Sequence, residues 1–163
     1  MELFLLRETD PDLLVRVRHD VLTRLRRIVA HAEISEVGST ALAGVIGKGD
    51  VDFGVRVRRQ DFERTRALLD RAFSRNPRQL SNEQFQGYTV DAAIDVAIQL
   101  FVADGDHDVF DRFLSALRSD RSLVDAYNAL KRQWNGRPMD DYRAAKDAFI
   151  DGVLRRTREP PAG

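Results

Sequence analysis

The chain of 163 residues, 43% hydrophobic and 32% charged, can build one core of domain size, with an appendage at most. Its 26 Lys and Arg balance 26 Asp and Glu, which excludes a strong sequence-independent hold on nucleic acid or anionic membrane but leaves room for a local basic cleft. The absence of cysteine removes disulfides, thiolate metal sites and cysteine nucleophiles together.

The opening segment MELFLLRETD places acid where a secretory signal needs cations, and no apolar run approaches the roughly 18 residues of a membrane span. A cytoplasmic protein is therefore expected. Asp10-Pro11 reads as a helix start, and Leu13, Leu14, Val17, Val21, Leu25, Ile28 and Val29 recur at helical spacing to about His31. Ile34 to Val37 predicts a short strand ending at Gly38-Ser39, and the glycine-rich stretch from Thr40 to Gly49 predicts a short helix and a loop. Then the period changes to two: Val51, Phe53, Val55 and Val57 face one way, Asp50, Asp52, Gly54, Arg56 and Arg58 the other. Phe62 to Phe73 predicts a helix. Gln84 to Val90 and Ala93 to Val102 predict two strands turning near Asp91, with Asp95 mid-strand on the polar face. Beyond Asp104-Gly105 the pattern is helical to about Arg156, broken near Asn135 to Pro138. The expected organisation is an α/β (α+β) core over 1–104, a helical part over 105–158 packed on it as one structural unit, and a frayed tail over 159–163.

The chemistry is concentrated between Gly38 and Asp52. A strand running into Gly38-Ser39 at a helix start offers backbone N–H groups to a phosphate, with glycine allowing close approach. Asp50 and Asp52, at i and i+2 on a strand, project from one sheet face, the arrangement that can hold a pair of Mg²⁺ ions for in-line phosphoryl chemistry. Two carboxylates leave such a pair under-neutralised, so a third acid is wanted. Asp95 meets that need, with Asp91 as a competing candidate.

This combination resembles the nucleotidyltransferase superfamily typified by DNA polymerase beta. More closely, Val37-Gly38-Ser39-Thr40-Ala41, Ala43-Gly44, Lys48 and Asp52 resemble the signature of the GrpB-like family within it. Tyr127 to Lys131 and Tyr142 to Ile150 are similar to that family's Tyr-x-x-Leu-Lys and Tyr-x-x-x-Lys-x-x-Phe-Ile elements, so the likeness runs from about residue 10 to 155. Two departures stand out. The family's frequent His-x-His is replaced by Val96, Ala97, Ile98, Gln99 and Leu100, and both acids of the Asp pair are present where many members keep only the second.

The resemblance implies a mixed β-sheet core with flanking helices and a C-terminal helical segment. It also implies a Mg²⁺- or Mn²⁺-dependent transfer of a nucleoside monophosphate from a nucleoside triphosphate such as ATP to an acceptor that is RNA, protein or small molecule. On that reading Asp50, Asp52 and Asp95 are catalytic and bind metal, while Gly38, Ser39, Lys48, Lys131, Tyr142 and Lys146 bind the nucleotide. Lys48, Lys131 and Lys146 are the three lysines among 26 basic residues, and all fall on these elements. An ammonium is a compact charge suited to a phosphate oxygen. The alternative function is a binding module without turnover, or an interaction subunit. Plainer readings stand beside each residue: Gly38-Ser39 as a capped turn, Asp50 and Asp52 paired with Arg56 and Arg58, and the Tyr/Lys pairs as helix packing with snorkelling lysines. His19, His31 and His107 lack metal-ligand spacing, and Trp134 reads as packing.

Overall fold

Asp10 caps the first long helix, its carboxylate accepting from the Asp12 amide at 2.9 Å with Pro11 in the first turn. The structure, a computed structural model, describes residues 1–158, so the tail expected to fray lies outside the described residues. Two compact units divide the chain: Thr9–Ala41 with Gly49–Asp108, and Met1–Glu8 with Leu42–Lys48 and the chain from Val109. The expected boundary after residue 104 lies close to the one at Val109, but Met1–Glu8 and Leu42–Lys48 fall with the helical residues rather than with the sheet.

In the sheet unit, α1 (Pro11–Ile28) leads to β2 (Glu33–Glu36), following a two-residue β1 (Leu3–Phe4) of the other unit. A three-residue 3₁₀ turn, Ser39–Ala41, follows β2; then come β3 (Val51–Val57), α2 (Phe62–Ala72), β4 (Ser74–Arg75), β5 (Phe85–Val90) and β6 (Val96–Val102). Five strands pair in the order β2-β3-β6-β5-β4, with β3 and β6 parallel and every other pair antiparallel. The alternation read from the sequence is realised: Val51, Phe53, Val55 and Val57 join Val96, Ile98, Leu100 and Val102 in one core with Val17, Val21 and Leu25 of α1 and Phe62 and Leu69 of α2. Full burial of each such side chain contributes about 1.5–3 kcal/mol, which fixes the register of a strand whose one-residue slip would expose the whole set. His31 accepts a structural place, its Nε2 2.7 Å from the hydroxyl of the fully buried Thr65.

One expectation is corrected here. β6 begins at Val96, so Asp95 precedes the strand rather than sitting within it, and the residue is exposed. The chain from Asp91 to Asp95 makes the bend, and the first ladder bond comes from the Val51 N–H to the Asp95 carbonyl at 3.0 Å.

The helical unit holds α3 (Phe110–Ser119), α4 (Arg121–Trp134), β7 (Arg137–Pro138) and α5 (Met139–Arg158). A helix break absent from the sequence reading falls at Asp120, whose carboxylate caps α4 by accepting from the Ser122 amide and hydroxyl at 2.9 and 2.6 Å. β1 pairs antiparallel with β7, and Phe4 stacks on Tyr142 with ring centroids 3.6 Å apart. Trp134 packs beside that pair, and Phe113, Tyr127 and Phe149 form an aromatic set among α3, α4 and α5. Among the described residues no helix is long and apolar enough to cross a membrane.

Candidate functional site

Two segments of the sheet unit meet at the candidate site: the Gly38-Ser39 turn after β2 and the start of β3. The Val37 N–H donates to the Asp52 carbonyl at 2.8 Å, which carries the β2–β3 pairing up to the turn. Gly38 is then favoured by space, since a Cβ at this position would collide with the Asp52 carboxylate. The carboxylate of Asp52 therefore lies directly over the glycine backbone. The Ala41 N–H closes the turn onto the Gly38 carbonyl at 3.0 Å. The expected short helix is this one 3₁₀ turn of three residues, too short to present a helix dipole of useful length.

Thr40 ties the turn to the second segment. Its hydroxyl lies 2.8 Å from Glu36 Oε1 and 3.1 Å from the Asp50 carbonyl. Arg18 of α1 grips the same Glu36 with Nε at 2.6 Å and Nη2 at 3.0 Å, and reaches the Thr40 carbonyl at 3.4 Å. Thr9 adds a hydroxyl bond to the Gly49 carbonyl at 2.8 Å, just before Asp50. Nothing in the sequence pattern pointed to Arg18 or Glu36, because a contact between a helix and a strand edge leaves no periodic mark. Thr40 was within sight, standing inside the Gly38-Ser39-Thr40 motif.

Asp50 and Asp52 are both half-buried, but β3 begins at Val51, so Asp52 lies within the strand and Asp50, expected on it, is the residue just before it. The plain reading that they pair with Arg56 and Arg58 is not what forms. Arg56 is held by Asp108 at 2.9 Å, Glu33 at 3.2 Å and Asp104 at 3.3 Å, and Arg58 by Asp61 at 2.9 Å. The Asp108 hydrogen bond is the chief reason the Arg56 guanidinium is held above its usual pKa.

The expected gathering of Asp50, Asp52 and Asp95 into a three-acid cluster does not form: among the described residues no group of three or more His, Asp or Glu side chains could hold a metal ion. Asp95 is left exposed ahead of β6. Asp91, the competing third acid, is exposed in the β5–β6 turn and lines an open groove with Arg24, Asp70, Arg71 and Thr89. A pair of carboxylates still suits Mg²⁺ or Mn²⁺, since Mg²⁺ is usually held by one or two carboxylates plus substrate phosphates rather than by an all-protein cage.

The remaining expected nucleotide ligands belong to the helical unit. Lys48 is half-buried at the end of the Leu42–Lys48 segment. Lys131, expected to reach a triphosphate, is instead 1% exposed, with Nζ donating to the Ile46 carbonyl at 2.6 Å and lying 4.3 Å from the Tyr127 ring centre. Tyr142 is buried against Phe4. Lys146, four residues along α5 from Tyr142, is half-buried.

A family model described as GrpB protein matches residues 10–156. The chain belongs to the GrpB family. A UPF0157 protein of Vibrio cholerae is 29% identical over 128 residues, which cover 78% of this chain and 68% of that one. The crystal structure of the conserved protein GrpB from Enterococcus faecalis superposes with a TM-score of 0.69 at 17% identity, over 95% of this chain and all of that one. The poly(U) polymerase Cid1, described for its RNA terminal uridylyl transferase activity, superposes with a TM-score of 0.50 at 16% identity, over 73% of this chain and 40% of its own. At such identities these likenesses carry the fold alone: this GrpB-family chain has the nucleotidyltransferase fold, with the mixed sheet and flanking helices that the motifs implied.

Proposed function

We propose that this GrpB-family protein is a metal-dependent nucleotidyltransferase that moves a nucleoside monophosphate from a nucleoside triphosphate to an acceptor. The observation that supports the reading is the packing of the Asp52 carboxylate, at the start of β3, on the backbone of Gly38 in the Gly38-Ser39 turn. In this reading the Ser39 hydroxyl and the neighbouring amides hold the β- and γ-phosphates, and Asp50 and Asp52 face the metal. Mg²⁺ or Mn²⁺ arriving with the nucleotide supplies the charge neutralisation that phosphoryl transfer requires. The acceptor oxygen attacks the α-phosphorus, the proton of an acceptor hydroxyl passing to water, the bond to the bridging oxygen of the β-phosphate breaks, and pyrophosphate leaves. The fold neighbour Cid1 has RNA terminal uridylyl transferase activity; for this chain RNA ends, proteins and small molecules are all to be tried.

The test is incubation with each α-labelled nucleoside triphosphate, Mg²⁺ or Mn²⁺, and cell extract. Label passes to an acceptor with the parent protein and not with Asp50→Ala or Asp52→Ala, both of which remain folded by circular dichroism. Equal labelling with either variant refutes the proposal. One observation favours a second reading, a nucleotide-binding module without turnover: Asp95 does not join the acidic pair. That reading predicts metal-dependent nucleotide binding with no pyrophosphate release.

A further inference from the structure

Deepening the transferase reading, on which it rests, we propose that Arg18, Glu36 and Thr40 form a positioning network that holds the Gly38-Ser39 turn in register with Asp50 and Asp52. The three side chains come from α1, β2 and the 3₁₀ turn, and each link is specified. Arg18 presents Nε and Nη2 to the two oxygens of Glu36 at 2.6 and 3.0 Å, a two-pronged charge-assisted contact that fixes the plane of the carboxylate. With its plane fixed, Glu36 Oε1 meets the Thr40 hydroxyl at 2.8 Å. The same hydroxyl lies 3.1 Å from the Asp50 carbonyl, and Arg18 also takes the Thr40 carbonyl at 3.4 Å. Thr40 is thus held through both its side chain and its main chain.

The consequence follows from neighbours along the chain. Ser39 immediately precedes Thr40, so fixing Thr40 fixes the hydroxyl and amides offered to a phosphate. The Asp50 carbonyl belongs to the peptide that leads into β3, so the contact with Thr40 also sets where Asp50 and Asp52 emerge. Two contacts then join the halves of the site, Gly38 with Asp52 and Thr40 with Asp50, the one proton of the Thr40 hydroxyl being shared between Glu36 and the Asp50 carbonyl. Side-chain exposures of 30% for Arg18 and 17% for Glu36 set this pair apart from the dry aliphatic core on which α1 sits. A pair that served packing alone would not need a carboxylate aimed at a single hydroxyl. None of the three residues touches phosphate or metal in this scheme; they act through Ser39 and Asp50.

The experiment is calorimetric titration of Mn²⁺ with each of the four ribonucleoside triphosphates into the full-length protein, beside thermal melts. Thr40→Val, which keeps the shape and removes the hydroxyl, lowers affinity about tenfold or more, the scale of outer-shell changes around metal sites. Thr40→Ser restores it. Arg18→Met weakens binding too, and combined with Thr40→Val costs no more than the larger single effect, because both break one network. Arg75→Met, which removes an ion pair on the edge strand β4, leaves affinity unchanged. Should Thr40→Val not fold, Glu36→Gln carries the test with the same expected loss. Parent-like binding by Thr40→Val, equal weakness of Thr40→Ser, or full additivity overturns the network while leaving the site intact. A parent that binds none of the four nucleotides overturns the transferase reading and the network with it.

Discussion

A single methyl group at position 38 is the smallest change that tests the site. Gly38→Ala places its Cβ on the Asp52 carboxylate, so either that carboxylate or the turn must move. Overpacking of this kind costs about 1–3 kcal/mol, readable by urea denaturation. Metal-dependent nucleotide binding should fall with it, and a Gly38→Ala protein as stable as the parent contradicts the close packing described. A second residue-scale expectation concerns Asp70 on α2. The Arg75 hydrogen bond, assisted by the Tyr88 hydroxyl at 3.0 Å, holds its carboxyl below the ordinary value of 3.8 despite the opposing effect of burial. A carboxyl with a depressed pKa in the folded state stabilises above its unfolded pKa and loses that contribution as pH falls through the folded one. Asp70→Asn is therefore less stable than the parent at pH 7, and the gap narrows below about pH 4. Melts at neutral and acid pH decide it, and a gap independent of pH refutes the assignment. Of the candidate site, the closeness of Gly38 and Asp52 was legible because a glycine turn and an acid stood at a spacing with chemical meaning. Asp95 was misread as mid-strand because Ala93 and Ile94 extend the strand pattern across what is really a bend. Lys131 was legible as special, being one of three lysines, but the sequence does not distinguish a lysine aimed at a phosphate from one aimed at a carbonyl.

Elements were readable where burial imposes a period. β3 and β6 alternate over seven residues each, and α1 carries a cap, a proline and a buried stripe. The two-residue pairs of β1 with β7 and β4 with the end of β5 are too short to show a period. The break between α3 and α4 was signalled only by Asp120 with Ser122 two residues on, a cap that a continuous helical pattern conceals. Least visible was the segment Leu42–Lys48, which α4 holds by its backbone. Asn128 accepts from the Ile46 N–H at 3.0 Å and donates to the Gly44 carbonyl at 2.7 Å, while Lys131 takes the Ile46 carbonyl at 2.6 Å. Gly44 turns there with a φ of +86°, a conformation that favours glycine. Removing these side-chain partners leaves part-buried backbone groups without them, at about 0.5–1.5 kcal/mol each. Asn128→Leu and Lys131→Met should lower the melting temperature and speed amide exchange at Ile46 in the first variant. Parent-like protection of that amide in Asn128→Leu contradicts the clamp.

For the whole molecule the two units are not consecutive in sequence. The helical unit takes in Met1–Glu8 and Leu42–Lys48 besides the chain from Val109. Phe4 supplies the ring on which Tyr142 stacks, and Leu42 and Val45 pack against the cluster of Phe113, Leu117 and Val153. A fragment of residues 109–163 lacks all three and should melt without cooperativity, whereas the full chain melts in a cooperative transition; a cooperative fragment refutes this division of the core. The central claim, that the Gly38-Ser39 turn and the Asp50–Asp52 stretch receive a metal–nucleotide, is tested most directly by paramagnetic broadening. Mn²⁺ with a nucleoside triphosphate, added to ¹⁵N-labelled protein, should bleach the amide signals of residues 38–40 and 50–52 first, and Asp52→Asn should abolish the effect. Bleaching that begins elsewhere, at the acidic loop Asp104 to Asp108 for example, or none at all, contradicts it.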